Sequence, residues 1–171
     1  MDINEFYNSI LNINNVDKSK IIKSIVFEEK EKLSLMVDDF TGFCKYITNQ
    51  IQCRLEEQSI NTYLIDLNHI VEVDHVFLIA EYKFNNNLIR WLIDPTYGQF
   101  TNDNTKKLVT LDFWPSSKLD NKILEKLLSD GLIEVDEQLF NNYINSFSKQ
   151  LIKIDFENYL FDLKFQKKKN Y

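Results

Sequence analysis

Apolar and polar positions along the chain fall into two regimes. Between Lys18 and Val37 apolar residues recur at mixed helical spacing: Ile21, Ile22, Ile25 and Val26, then the charged run Glu28–Lys32, then Leu33, Leu35 and Met36. The spacing predicts a helix over Lys18–Val37, a shorter one over Ile3–Leu11 and a loop at Asn12–Asp17. A new stripe at Ile47, Ile51 and Leu55 predicts a helix that closes at Arg54–Glu57. Asp39 or Thr41 would cap it, Gly42 would allow a tight approach, and Cys44 would fall in its first turn. The period then shortens. Three runs rich in β-branched and aromatic residues, Asn61–Leu67, Val71–Tyr82 and Leu88–Ile93, predict consecutive strands. The asparagines Asn85–Asn87 make a hairpin of the last two, folded about Asn86. A polar loop (Thr101–Lys107) and a short apolar piece (Leu108–Trp114) follow. Helices are expected at Asp120–Ser129, stopped by Asp130-Gly131, and at Asp136–Phe147. A helix followed by closely linked strands predicts an α+β fold, since parallel βαβ units would need crossover helices.

The chain has 171 residues, which suits one domain spanning 1–171. Its parts would be N-terminal helices (1–38), a core (39–100) and a C-terminal helical part (101–171). With 44% hydrophobic and 13% aromatic residues, it has enough apolar surface to bury a core. The net charge of -6 argues against nucleic acid and anionic membrane as partners. Lys167-Lys-Lys169 reads as a solvated tail. No apolar run is long enough for a membrane span. Met1-Asp-Ile-Asn-Glu5 lacks the basic start and apolar core of a secretory signal. The expected location is the cytoplasm, or a host cell into which the chain is translocated. The two cysteines, Cys44 and Cys53, do not make a disulfide scaffold. On one helix their Cα atoms would lie about 13 Å apart, beyond disulfide reach. Both features suit a reducing compartment.

The hairpin carries chemistry. Folding about Asn86 brings the head of its first strand beside the end of its second, so His75 is expected near Asp94–Tyr97. Cys44 at a helix N-terminus meets partial positive charge that favours the thiolate, and free N–H groups suited to an oxyanion. Each residue alone has a duller reading. An unpaired cysteine is commonly a small buried apolar group, a lone histidine an edge residue, and Asp-Pro a strand-ending turn. Together they supply a nucleophile, a base and an orienting carboxylate. Cys53 lies about 180° round the helix from Cys44 and reads as core filler. His69 reads as structural. The set His69, His75, Asp74 and Asp94 lacks the spacing of a metal site. With three glycines there is no phosphate loop, and no cofactor is expected.

The order Gly42-Phe43-Cys44, His75 at a strand head, then Trp91-Leu-Ile93-Asp94-Pro95-Thr96 resembles the papain/transglutaminase-like cysteine enzyme superfamily. Within it, Ile93-Asp-Pro-Thr-Tyr-Gly-Gln-Phe100 most resembles papain-fold glutamine deamidase domains of bacterial toxins and effectors. The resemblance spans Asp39 to Phe100. It implies a cysteine-bearing helix packed on an antiparallel sheet, with Cys44 as nucleophile, His75 as base and Asp94 as its orienting carboxylate. It also implies Gln99 as a side-chain donor to the oxyanion hole. A neutral amide suits that role because it stabilises negative charge without competing for the proton of the base. The expected reaction attacks an amide through a thioester, with glutamine deamidation of a protein or peptide substrate foremost. Peptide hydrolysis and transglutamination would use the same site. A non-catalytic binding protein that keeps the fold is the reading from a different class.

Overall fold

The computed structural model describes residues 2–7, 15–101 and 115–169. At its centre is a four-stranded antiparallel sheet in the order β1 (Asn61–Asp66), β2 (Val76–Phe84), β3 (Asn87–Ile93) and β4 (Leu132–Glu134). The hairpin β2–β3 is closed by Asn85 (φ 50°) and Asn86 (φ 62°), with Phe84 paired to Asn87. Positive φ at both central positions defines the tight turn whose twist matches that of the strands.

Alternation of side chains along the strands splits the core into two layers. Leu78, Ala80, Tyr82, Trp91, Ile93 and Leu132 face α1 (Ser19–Met36) and α2 (Cys44–Glu57). Phe77, Ile79, Leu92, Tyr63 and Ile65 face the opposite layer. That layer is built from α4 (Asn121–Asp130), α5 (Glu137–Ser146) and α6 (Phe156–Lys169). Ile47, Ile51 and Leu55 form the buried stripe of α2 and are fully enclosed. Each such side chain contributes about 1.5–3 kcal/mol of burial. Arg54 of α2 reaches Glu28 and Glu29 of α1 at 2.6 and 3.1 Å and fixes how the two helices lie.

α4 and α5 begin where capping chemistry places them: Asp120 accepts from the Lys122 N–H and Asp136 from the Leu139 N–H. Two asparagines on α5 then set the path of the following chain. Asn141 exchanges both hydrogen bonds with the backbone of Ile154, and Asn145 does so with Ile152, at 2.7–2.9 Å. They deliver the chain to α6, whose Phe156 and Leu160 enter the core.

Several expectations need correction. The strand foreseen from Val71 begins at Val76. Asp66 accepts from the Asn68 N–H and starts a short helix, α3 (Asn68–Val71), which the left-handed Glu72 ends. His75 therefore stands just ahead of β2 rather than within it. Strand β4 was not foreseen. The supposed solvated lysine tail includes the last turns of α6, where Lys167 pairs with Glu56 at 2.9 Å. At the N-terminus, residues 3–7 are helical, and the remainder of that expected helix falls outside the described residues. So do the loop beyond Thr101 and the piece Leu108–Trp114. No helix among the described residues is long and apolar enough to cross a membrane.

Candidate active site

Three chain segments converge at one end of the sheet. The first is the turn before α2. The Asp39 carboxylate accepts from the Thr41 N–H and hydroxyl at 2.8 and 2.7 Å, and Gly42 follows with φ +83°. Asp39 thus shapes this turn and does not cap the helix as expected. Phe43 is the N-cap, with no side-chain hydrogen bond, and Cys44 is the first helical residue. Its backbone N–H is one of those a helix leaves without an internal partner.

The second segment is 67–75. The Leu67 N–H donates to the His75 carbonyl and the His75 N–H to Val73, both at 2.9 Å. The third is the turn after β3, where the Asp94 N–H donates to the Gly131 carbonyl at 2.8 Å. Beyond it, residues Tyr97–Phe100 form a 3-10 turn that carries Gln99.

His75 Nε2 donates to Asp94 Oδ2 at 2.8 Å, with the imidazole wholly enclosed and Asp94 1% exposed. The ring sits edge-on to Phe100 (4.9 Å between centroids) and stacked on Phe147 (5.9 Å). With Nε2 committed to Asp94, Nδ1 is the nitrogen left for the thiol, and His75 and Cys44 are close enough that each shifts the pKa of the other. Gln99 Nε2 lies 3.4 Å from the same Nδ1 and 3.3 Å from Thr96 Oγ1. Cys44, 7% exposed, is the most accessible of Cys44, His75 and Asp94. A cleft of about 450 Å³ lined by Met36, Val37, Asp38, Asp39, Thr41 and Phe43 runs along the turn that leads to Cys44.

The electrostatics follow from these contacts. Burial pushes the Cys44 thiol up, but the hydrogen bond and charge of His75, with the Val76 N–H, bring it below its ordinary value. The Asp94 charge opposes them less strongly. Burial pushes the His75 imidazole down, yet the charge and hydrogen bond of Asp94, and then Cys44, raise it above its ordinary value. The two shifts diverge in the direction that favours a thiolate–imidazolium pair.

The structure thus brings Cys44, His75, Asp94 and Gln99 into one cluster. It does not bring in His69, which is exposed on α3, or Asp74, which pairs at the surface with Lys45 at 3.4 Å. Among the described residues no trio of His, Cys, Asp or Glu side chains is disposed to hold a metal ion. Cys53 is exposed and is not core filler. On a helix with one buried face, the side opposite Cys44 is the solvent side.

Sequence reasoning missed Tyr143. It is fully buried on α5, and its hydroxyl donates to Asp94 Oδ2. Thr96 Oγ1 donates to Asp94 Oδ1 at 3.3 Å. The available signal was a tyrosine inside the stripe Phe140, Tyr143, Ile144, Phe147, where every neighbour is apolar: a buried phenol needs a partner. Comparison with protein-family profiles, with curated proteins and with solved structures finds no match to this chain.

Proposed function

We propose that the chain is a Cys-His-Asp thiol enzyme that acts on amide bonds through a thioester, with glutamine side chains of a protein or peptide as the foremost substrate. The observation that carries this reading is the relay from Asp94 through His75 to Cys44, in which the thiol is held down and the imidazole held up. The resemblance of Ile93–Phe100 to glutamine deamidase domains supports the choice of substrate.

The Cys44 thiolate adds to the carboxamide carbon, and the carbonyl electrons move onto oxygen. The oxyanion forms beside the N-terminus of α2, where the Cys44 N–H and the Gln99 amide supply donors. At 3.4 Å the Gln99 contact to Nδ1 is long, so little is lost when the amide turns to the oxyanion. On collapse the C–N bond breaks, and His75 gives its Nδ1 proton to the leaving nitrogen, which departs as ammonia. Water then adds to the thioester with His75 taking its proton. Release of the new carboxyl group restores the thiolate and the imidazolium. Asp94 holds the tautomer with Nε2–H throughout, which keeps Nδ1 turned to the sulfur.

Intact-mass analysis of candidate proteins incubated with wild type and Cys44→Ala tests the reading. A gain of about one dalton, present with wild type only, is the deamidation expected from replacing the amide nitrogen with oxygen at the thioester step. Fragments would assign peptide hydrolysis, and an amine adduct would assign transglutamination. Iodoacetamide labelling tests the site itself: Cys44 should alkylate on the acid side of the ordinary thiol range. Alkylation at the rate of a denatured control would leave only the non-catalytic binding protein.

A further inference from the structure

We propose that Tyr143 is a positioning residue for this reaction: its hydroxyl, by donating to the carboxylate oxygen that also takes His75 Nε2–H, locks Asp94 in the orientation the relay needs. The inference rests on the thiol-enzyme reading and extends it to the C-terminal part of the chain.

Asp94 is 1% exposed and has more acceptor sites than His75 alone can fill. A buried carboxylate without donors is strongly disfavoured, so the identity of its donors decides where it points. Thr96 reaches Oδ1 at 3.3 Å, a long contact, and His75 reaches Oδ2 at 2.8 Å. His75 is the group that Asp94 orients, so another donor has to orient Asp94. Tyr143 is the other donor to Oδ2. It is anchored by its own surroundings, with Phe77, Phe147 and Tyr97 rings at 4.7, 5.3 and 5.6 Å around it. Phe147, immediately beyond α5, also stacks on the imidazole. One stretch of chain therefore grips the carboxylate through Tyr143 and the histidine ring through Phe147.

The hydroxyl works in one direction only. Burial first, and then the Asp94 charge, push the Tyr143 phenol well above its ordinary value, so it remains a donor throughout the working range. The titratable groups acting on it are Asp94, Tyr97 and Cys44, and those acting on His75 are Asp94 and Cys44. Asp94 and Cys44 act on both, and of the two Asp94 is the one hydrogen-bonded to both. Donation by Tyr143 spreads the carboxylate charge and so moderates its hold on the His75 proton. Removing the hydroxyl should tighten that hold. A more acidic phenol should loosen it.

The test follows Cys44 alkylation by iodoacetamide across pH in the full-length protein and reads the upper inflection, where His75 loses its proton. Tyr143→Phe keeps the ring and should move that inflection upward by about one pH unit, the scale of one hydrogen bond to a charged group. 3-Fluorotyrosine placed at position 143 should move it the opposite way. A purely structural tyrosine would produce neither shift, whatever it did to stability. If Tyr143→Phe does not fold, the fluorotyrosine protein decides by itself. Inflections that superimpose on wild type in the folded variants overturn the proposal. If the wild type shows no His75-dependent reactivity at Cys44, the thiol-enzyme reading fails and takes this inference with it. That failure is visible before any Tyr143 variant is made.

Discussion

His75 sits between two groups whose demands it meets in one protonation state. Cys44 needs a proton acceptor to become a thiolate, and Asp94 needs a cation to balance its buried charge. Both demands are met when the imidazole is protonated and the thiol is not, and the shifts of the two groups run in those directions. The sign of the proposed reaction's pH dependence follows. Below the lowered pKa of Cys44 the thiol is protonated and cannot attack. Above the raised pKa of His75 the imidazolium is gone, and with it the proton for the leaving nitrogen. Turnover should be bell-shaped, with its acid limb below the ordinary thiol range and its alkaline limb above the ordinary imidazole range. In His75→Ala the thiol keeps its burial and loses the contacts that offset it, so the reactivity of Cys44 should move to higher pH. Turnover should fall by about 10²–10⁴-fold, the usual contribution of a positioned acid–base group. Alkylation profiles of the two proteins, with exposed Cys53 labelled in the same sample, measure the first effect. An unchanged Cys44 profile in the variant would remove His75 from the site.

At the scale of elements, the position of Asp94 depends on the end of α4 as much as on β3. Gly131 terminates that helix with φ +74°, and its carbonyl accepts from the Asp94 N–H. A Cβ added there would lie 3.0 Å from Pro95 Cα and 3.4 Å from Val26 Cγ1. Gly131→Ala therefore combines left-handed strain of about 1–2 kcal/mol with displacement of the residue next to Asp94. Gly42→Ala, at φ +83°, has the strain and no neighbour within 4 Å. Denaturation midpoints should drop in both, more in Gly131→Ala, where the contact with Pro95 adds to the strain. Equal losses in the two would mean that the Gly131–Pro95 contact adds nothing. The local signals were legible in the sequence where a single residue type suffices: the Asn85-Asn86 turn, the helix starts at Asp120 and Asp136, the Asp130-Gly131 stop. They failed where a distant partner decides. Strand β4 has three residues and no pattern of its own, and it exists because β3 offers it an edge. Tyr143 lies 49 positions from Asp94, so its role could not be read from spacing.

In the whole molecule, the groups of the proposed site belong to different layers. Cys44 hangs on α2, which packs against one face of the sheet, while the His75 ring lies among Phe100 and Phe147 with the layer on the other face. The sheet is what keeps sulfur and imidazole in register, and neighbouring residues of one strand address the two layers separately. Phe77 faces the α5–α6 layer and Leu78 faces the α1–α2 layer, both with no exposed surface. Truncation to alanine should cost about 3–5 kcal/mol at Phe77 and about 2–5 kcal/mol at Leu78. Because each layer is half of a core whose other half is the shared sheet, neither loss should stay confined to its own side. Both variants should unfold in one transition at a lower denaturant midpoint, with circular dichroism and Cys44 accessibility changing together. Separate transitions in either variant would mean that the layers fold independently. The site would then be a contact between two units rather than a property of one core.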